Sequence, residues 1–370
     1  MISLDDQRRH ILSWESKVRK VIPYTAGEQP KDKNIIKLNT NECPYPPAPG
    51  VRKAIEALSA RADDLRLYPD MNAAALVDAL AEFYQIDSSR IFVGIGSDDV
   101  LALCFLTFFS SGDPILFPDI TYSFYPVWAD LYKIPYKQIP LTPEMTIDPY
   151  EYAPGLTHVK NGGIIFPNPN APTGVEEPLS KIEQILRANP DSVVIVDEAY
   201  IDFGGTSALS LIDRYDNLLV VQTFSKSRSL AGMRIGFAMG NEKLIGYLKD
   251  VKFSFNSYTM SLPSIMIGKA AVEDRAYFEE TTGKIVKTRE RFKQALSDLG
   301  FVFPDSKTNF VFAAHPEFSG DHLFAELRKR NIVVRHWNSP AIREYLRITI
   351  GTDEQMDAVI RALAEITSAG

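Results

Sequence analysis

Nearly continuous apolar runs recur through the first two thirds of the chain. They fall at Ile91-Phe92-Val93 and at residues 114–117, 163–166, 193–196, 218–223 and 236–239. A strand with one wet face alternates apolar and polar residues. A strand apolar at every position is covered on both faces. Patterns with helical spacing lie between these runs, over 50–60, 72–84, 98–110 and 179–188. Buried strands separated by helices predict an α/β fold, a mostly parallel sheet covered by helices on both sides. In such sheets ligands bind beyond the carboxyl ends of the strands.

The pattern changes from about residue 257. One long helical pattern runs over 261–299. Strands follow at 310–313, 332–335 and 345–350, and helices at 320–330 and 354–368, as in a smaller α+β domain. The N-terminal stretch reads as an arm, with a short helix over 12–22 and a brief strand over 35–38. It ends in Cys43-Pro44-Tyr45-Pro46-Pro47-Ala48-Pro49-Gly50, whose prolines lack the donors that regular structure needs. The expected division is an arm over 1–45 packing on the small domain, a large domain over 46–256 and a small domain over 257–370. No internal repeat or low-complexity tract interrupts it.

Composition narrows the function classes. A chain of 370 residues, 45% hydrophobic and 24% charged, is an ordinary globular chain of two or three domains. Its net charge of -7 offers no basic excess for nucleic acid or an anionic membrane. The longest apolar stretch, 100–109, is too short to span a bilayer. The charged N-terminus lacks the apolar core of a signal peptide. Two cysteines, Cys43 and Cys104, form no CxxC pair and read as reduced thiols of a cytoplasmic protein. His10, His158, His315, His322 and His336 are scattered without metal-ligand spacing, so no metal site is expected.

The chemistry gathers at expected strand ends. Asp197 closes a buried run and is followed by Glu198-Ala199-Tyr200. A carboxylate there is costly to bury unless paired; it either caps the next segment or meets a cation. Lys226 follows the 218–223 run, within Thr223-Phe224-Ser225-Lys226-Ser227, and Arg234 lies eight residues on. Alone, a lysine between serines is a surface residue. Beside an acid, hydroxyls and an arginine, it can carry the aldehyde of pyridoxal phosphate while the acid keeps the ring nitrogen protonated and Thr223, Ser225 and Arg234 hold the phosphate. Gly94-Ile95-Gly96-Ser97-Asp98-Asp99 opens a helix and lacks the third glycine of a dinucleotide fingerprint, but a helix N-terminus still offers amides to a phosphate. Asn168-Pro169-Asn170-Ala171-Pro172-Thr173-Gly174 is a constrained loop after a strand, either a plain turn or a holder for a side-chain amide over a ring. Arg347, in Tyr345-Leu346-Arg347-Ile348-Thr349-Ile350, alternates away from a core face and either meets an anion or lies on an exposed sheet face.

In this order the motifs resemble fold-type I pyridoxal-phosphate aminotransferases over about residues 22–366. Leu38-Asn39-Thr40-Asn41-Glu42-Cys43-Pro44-Tyr45-Pro46-Pro47 and Leu67-Tyr68-Pro69-Asp70 are most similar to the histidinol-phosphate aminotransferase group. The resemblance implies a seven-stranded, mostly parallel sheet. It makes Lys226 the covalent anchor and proton shuttle, with Asp197 on the ring nitrogen. Tyr200 and Asn170 would lie on the phenolic oxygen, and Tyr122 on the ring face. Ser97, Asp98, Thr223, Ser225 and Arg234 would surround the phosphate. Tyr68 would reach that phosphate from the other subunit of a homodimer with a shared site. Tyr24, Asn41, Arg335 and Arg347 would line the substrate pocket. Ala171 stands where the group often has asparagine, as does Cys43. The implied reaction moves an amino group between histidinol phosphate and 2-oxoglutarate in histidine biosynthesis. The other readings are an aromatic amino-acid aminotransferase, a phospho-amino-acid decarboxylase and, on the same fold, a cofactor-sensing transcription regulator.

Overall fold

The structure is a computed structural model and describes residues 14–25, 27–32, 34–154 and 160–368. His10 and His158 lie outside these residues, as does the start of the helix expected over 12–22; its described part holds one short 3-10 turn, Glu15–Lys17.

In chain order the strands are β1 (Ile36–Lys37), β2 (Ile91–Gly94), β3 (Ile115–Pro118), β4 (Tyr136–Ile139), β5 (Ile164–Pro167), β6 (Val194–Asp197), β7 (Leu218–Thr223), β8 (Gly236–Gly240), β9 (Phe310–Ala313), β10 (Ile332–Val333) and β11 (Leu346–Thr349). The α-helices used below are α1 (Pro49–Ser59), α2 (Ala74–Tyr84), α3 (Ser97–Phe108), α4 (Phe124–Tyr132), α5 (Leu179–Ala188), α6 (Glu242–Phe255), α7 (Leu262–Glu273), α8 (Arg275–Asp298), α9 (Gly320–Lys329) and α10 (Asp353–Ser368).

Seven strands form the central sheet in the order β2-β8-β7-β6-β5-β3-β4. Only β8 runs antiparallel to its neighbours; the rest pair in parallel. The two-residue side-chain period of the strands serves two separate cores. Val194 and Val196 of β6 join one core with Leu76, Leu80 and Ile182. Ile195 joins the other with Leu101, Phe105 and Trp128. By the same alternation Asp197 follows Ile195, toward α3 and α4. Strand β4 lies at the sheet edge, with Tyr136, Lys137 and Gln138 exposed and only Ile139 buried. That pattern is not an apolar run, and the strand is absent from the sequence reading.

The C-terminal part pairs β9 with β11 antiparallel and β10 with β1 in parallel, over a third core that includes Ile285, Phe292, Leu363 and, from the arm, Leu38. The single helix expected over 261–299 is two, α7 and α8. They meet at Asp274, whose non-helical backbone (φ -85°, ψ 62°) ends one helix and begins the next. Its carboxylate accepts the Gly50 N–H at 3.2 Å. A polar residue serving a distant backbone group does not disturb helical spacing, so the break left no trace in the periodicity. No helix among the described residues is long and apolar enough to cross a membrane.

Candidate active site

Parallel strands β5, β6 and β7 end side by side, with Pro167 paired to Asp197 and Asp197 to Val221. Beyond these ends lie two connected chambers. The inner one, about 180 Å³, is bounded by Ser97, Asp98, Asp197, Thr223, Ser225 and Arg234. The outer one, about 580 Å³, opens past Tyr24, Asn41, Arg335 and Arg347. Thr40, Tyr122, Ala171, Tyr200 and Lys226 line both.

Asp197 is 4% exposed. Its Oδ2 accepts the Tyr125 hydroxyl at 2.9 Å, and its Oδ1 accepts the Ala199 N–H at 3.3 Å. Burial pushes its pKa up to about 6, against the two hydrogen bonds. Tyr125 in turn is raised well above the usual phenol range by burial and by the Asp197 charge. A buried carboxylate with a raised pKa is a group poised to receive a cation. Lys226 extends its Nζ to the Thr40 carbonyl at 3.0 Å and lies 5.7 Å from the centre of the Tyr200 ring.

The other end of the inner chamber is a cradle for an anion. Arg234 sits in the left-handed region at φ 51°. Its Nη2 lies 3.0 Å from Asp98 Oδ2, and its Nη1 is 3.4 Å from Ser225 Oγ. Tyr122 donates to the other Asp98 oxygen at 2.9 Å. Ser97 opens α3, where the first-turn N–H groups have no intrahelical carbonyl. Two glycines make room for this cradle. A Cβ on Gly96, at φ +88°, would lie 2.5 Å from Arg234 Nη2, and one on Gly236 would lie 2.3 Å from Ser97 N. An acid at one end, a cationic cradle at the other and a lysine between them fit a phosphorylated pyridine aldehyde.

In the outer chamber the backbones of Arg335 and Arg347 exchange both hydrogen bonds, at 3.0 and 2.9 Å. Arg347 Nη2 donates to the Asn39 carbonyl at 3.0 Å, while its buried Nε has no partner among the described residues. Burial holds the Arg347 pKa below the usual guanidinium range, and the neighbouring Arg335 adds to the effect. Trp337 lies 5.3 Å from both guanidinium carbons. Among the described residues no carboxylate forms an ion pair with either arginine. Tyr24 stacks on Phe124 at 4.1 Å.

Two expected residues are not brought to the chambers. The Asn170 amide donates to the Ile120 carbonyl and to Thr173 Oγ1, both at 3.0 Å, so it ties its loop to the segment after β3; the neighbouring Ala171 lines the chambers instead. The loop turns at 171–173, closed by the Gly174 N–H on the Asn170 carbonyl at 2.8 Å, and this turn sets which residue meets the cavity. Tyr68 is 81% exposed and stacks on Tyr258 outside both chambers. Asn41 lines the outer chamber, but its amide is engaged by Tyr200 and Thr349. Tyr125 and the Thr40 carbonyl belong to the site although neither is among the residues expected from sequence. Tyr125 hides in an apolar helix, three residues after Tyr122, and a backbone carbonyl carries no sequence signal.

The aminotransferase class I and II family matches residues 33–363. The chain belongs to this family. Histidinol-phosphate aminotransferase of Lactococcus lactis subsp. cremoris (strain MG1363) is 51% identical over 354 residues, 96% of this chain and 98% of that protein. Histidinol-phosphate aminotransferase 2 of Dechloromonas aromatica (strain RCB) is 52% identical over 355 residues, 96% of this chain and 99% of its own. Among solved structures, histidinol-phosphate aminotransferase from Sinorhizobium meliloti in complex with pyridoxal-5'-phosphate aligns with a TM-score of 0.82 at 23% identity, covering 90% of this chain and 91% of that one. The Clostridium acetobutylicum enzyme aligns at 0.81 and 23%, over 91% of this chain and 100% of its own. At such identity these structures show the shared fold alone. As a member of this family the chain is a pyridoxal-phosphate-dependent aminotransferase acting on small amino and oxo compounds.

Proposed function

We propose that this aminotransferase moves an amino group between histidinol phosphate and 2-oxoglutarate, as a step of histidine biosynthesis. The observation that carries the reading is the pair of arginines in the outer chamber, Arg335 and Arg347, without an acid partner among the described residues. Glutamate presents a carboxylate next to its reacting carbon. Histidinol phosphate presents a phosphate dianion in that region. One arginine suits the first, and two suit both. The curated relatives at about half identity carry the matching name.

Bound in the inner chamber, pyridoxal phosphate supplies an aldehyde that takes up the amino group and a ring that withdraws electrons. The chain's residues do the rest. Lys226 anchors the aldehyde and then carries a proton at the substrate's α-carbon. Asp197 holds the ring nitrogen protonated, with Tyr125 and the Ala199 N–H keeping its oxygens in place. Arg234, Ser225, Thr223 and the first turn of α3 hold the phosphate, with Ser97 and Asp98 contributing their N–H groups. Tyr122 covers the ring, and Tyr200 meets the phenolic oxygen. Tyr24, Arg335 and Arg347 orient the substrate.

The active unit in this reading is a homodimer. Tyr68, exposed and outside its own chain's chambers, would reach the phosphate of the second copy. Mixing a Lys226→Ala chain with a Tyr68→Phe chain then creates one site with both native residues. That heterodimer should exceed the Tyr68→Phe homodimer in turnover; no gain after proven subunit exchange rejects the shared site.

Substrate choice is tested by comparing kcat/KM for histidinol phosphate, histidinol and phenylalanine. Histidinol phosphate should lead, with histidinol far behind. Efficient turnover of phenylalanine with little cost for removing the phosphate would replace this reading with an aromatic amino-acid aminotransferase.

A further inference from the structure

We propose that Asn41 is a positioning residue that turns the Tyr200 hydroxyl into a donor aimed at the cofactor's phenolic oxygen, and that Tyr200 makes this contact without help from the proline-rich loop. The inference rests on the proposed role of Tyr200. The first observation is a missing partner. Ala171 presents a methyl group to both chambers, and the amide of Asn170 is turned to Ile120 and Thr173. Of the two tyrosines that line the inner chamber, Tyr122 gives its proton to Asp98, which leaves Tyr200.

The second observation is how that hydroxyl is held. Asn41 Nδ2 donates to Tyr200 Oη at 2.9 Å in a buried contact. A phenol has one proton. With an N–H occupying a lone pair, the proton cannot point at Asn41 and is left to the chamber. The direction of the Asn41 amide is itself constrained. Thr349 Oγ1 accepts the Asn41 backbone N–H at 3.1 Å and donates its own proton to Asn41 Oδ1 at 2.9 Å. Asn309 Nδ2 donates to the Asn41 carbonyl at 3.0 Å. The backbone of Asn41 is left-handed, at φ 57°, a conformation asparagine tolerates better than most residues. A chain of polar contacts thus runs from β11 through the arm to one hydroxyl. Such a chain makes Tyr200 a stronger donor than a free phenol, because each bond polarises the next.

A donor at the phenolic oxygen favours its anionic form, so the cofactor linked to the enzyme gives up its proton at lower pH. The test reads the pH midpoint of the visible absorption change of holoenzyme without substrate. Asn41→Gly keeps the left-handed backbone and removes the amide. Asn41→Asp keeps the shape but offers Tyr200 an acceptor, which draws its proton away from the chamber. Asn41→Gly should raise the midpoint by about half a unit, a threefold change in proton affinity, and Asn41→Asp should raise it further. In a Tyr200→Phe background, Asn41→Gly should add nothing. An unchanged midpoint in both Asn41 variants, with Tyr200→Phe moving it, overturns the role of Asn41 and leaves Tyr200 standing. An equal Asn41→Gly shift with and without Tyr200 also overturns it, since Asn41 would then act by another route. If Tyr200→Phe itself leaves the midpoint in place, the reading of Tyr200 fails and the proposal falls with it.

Discussion

The inner and outer chambers are built in opposite ways. The charged side chains Asp197, Arg234 and Lys226 of the inner chamber are already paired before any ligand arrives. Asp197 has Tyr125 and the Ala199 N–H, Arg234 has Asp98 and Ser225, and Lys226 has the Thr40 carbonyl. Most of them sit at the ends of adjacent strands or in the loops just beyond. In the outer chamber Arg347 has a carbonyl for one nitrogen and, among the described residues, nothing for its Nε. Its walls come from the arm, from the loop after β3 and from the C-terminal strands. A prepaired site holds one group in one pose, because little reorganisation is needed on binding. A site with spare cationic capacity can accept anions of different charge in turn. The difference suits a resident cofactor and exchanging substrates.

The comparison is broken most severely at Lys226. Lys226→Ala should lower turnover by at least about 10³-fold, the scale of losing a positioned proton carrier, and here the anchor is lost as well. The phosphate cradle does not depend on Lys226, so the variant should still bind pyridoxal phosphate, seen as retained absorption after gel filtration. Borohydride treatment of the native protein should label Lys226; a label mapped to another lysine would reject the assignment.

Arg347 sharpens the contrast from the outer side. Truncating one partner of a hydrogen-bonded charge pair, here arginine and substrate anion, costs about 2–5 kcal/mol where the pair is shielded from water. Arg347→Ala should therefore impair the glutamate and histidinol phosphate half-reactions together, each by about 30-fold or more in single-turnover measurements. Arg335→Ala should hurt histidinol phosphate more than glutamate. Equal losses for the two substrates in Arg335→Ala would remove the argument from paired cations.

The same contrast governs what could be read in the sequence. Asp197 directly follows an apolar run, Thr223 closes the next one and Ser225 and Lys226 lie just beyond it, so chain order alone places them at one sheet edge. The strands β5, β6 and β7 were legible because burial on both faces makes them apolar over most of their length. In the outer chamber Arg347 was legible from the alternation along its strand, whereas Tyr24, Asn41 and Arg335 were legible only through resemblance. Tyr24, Arg335 and Arg347 meet across more than 300 residues of chain, and no local pattern records that meeting. Orientation was harder still. Asn170 and Ala171 differ by one position, and which of them faces the cavity depends on the loop's bonds to Ile120 and Thr173. The edge strand β4 was hidden because three of its four residues face solvent, and the helix break at Asp274 because its carboxylate serves the distant Gly50 N–H.

The smallest effect tests whether prepairing leaves Asp197 under tension. In cofactor-free protein its pKa is raised from 3.8 to about 6, chiefly by burial. For a raised acid, the unfolded chain releases its proton first. Its contribution to folding is thus full below the unfolded pKa and is lost as pH rises through the folded one. The gap of about two units corresponds to roughly 3 kcal/mol lost between about pH 4 and 6. Glu198, raised to about 7 by burial, adds a loss of the same sign, so the native curve alone does not isolate Asp197. Asp197→Asn does. Denaturant unfolding of cofactor-free protein from pH 4 to 8 should show the native chain losing up to about 3 kcal/mol more than Asp197→Asn. Turnover should move the opposite way, because an amide cannot keep the ring nitrogen protonated. Tyr125→Phe removes a hydrogen bond of about 1 kcal/mol or more from the charged form. It should push the Asp197 transition to higher pH by up to about one unit while leaving the Glu198 transition where it was. Parallel stability curves for the native chain and Asp197→Asn would mean that the buried carboxylate carries no such tension, and that the inner chamber owes its shape to packing alone.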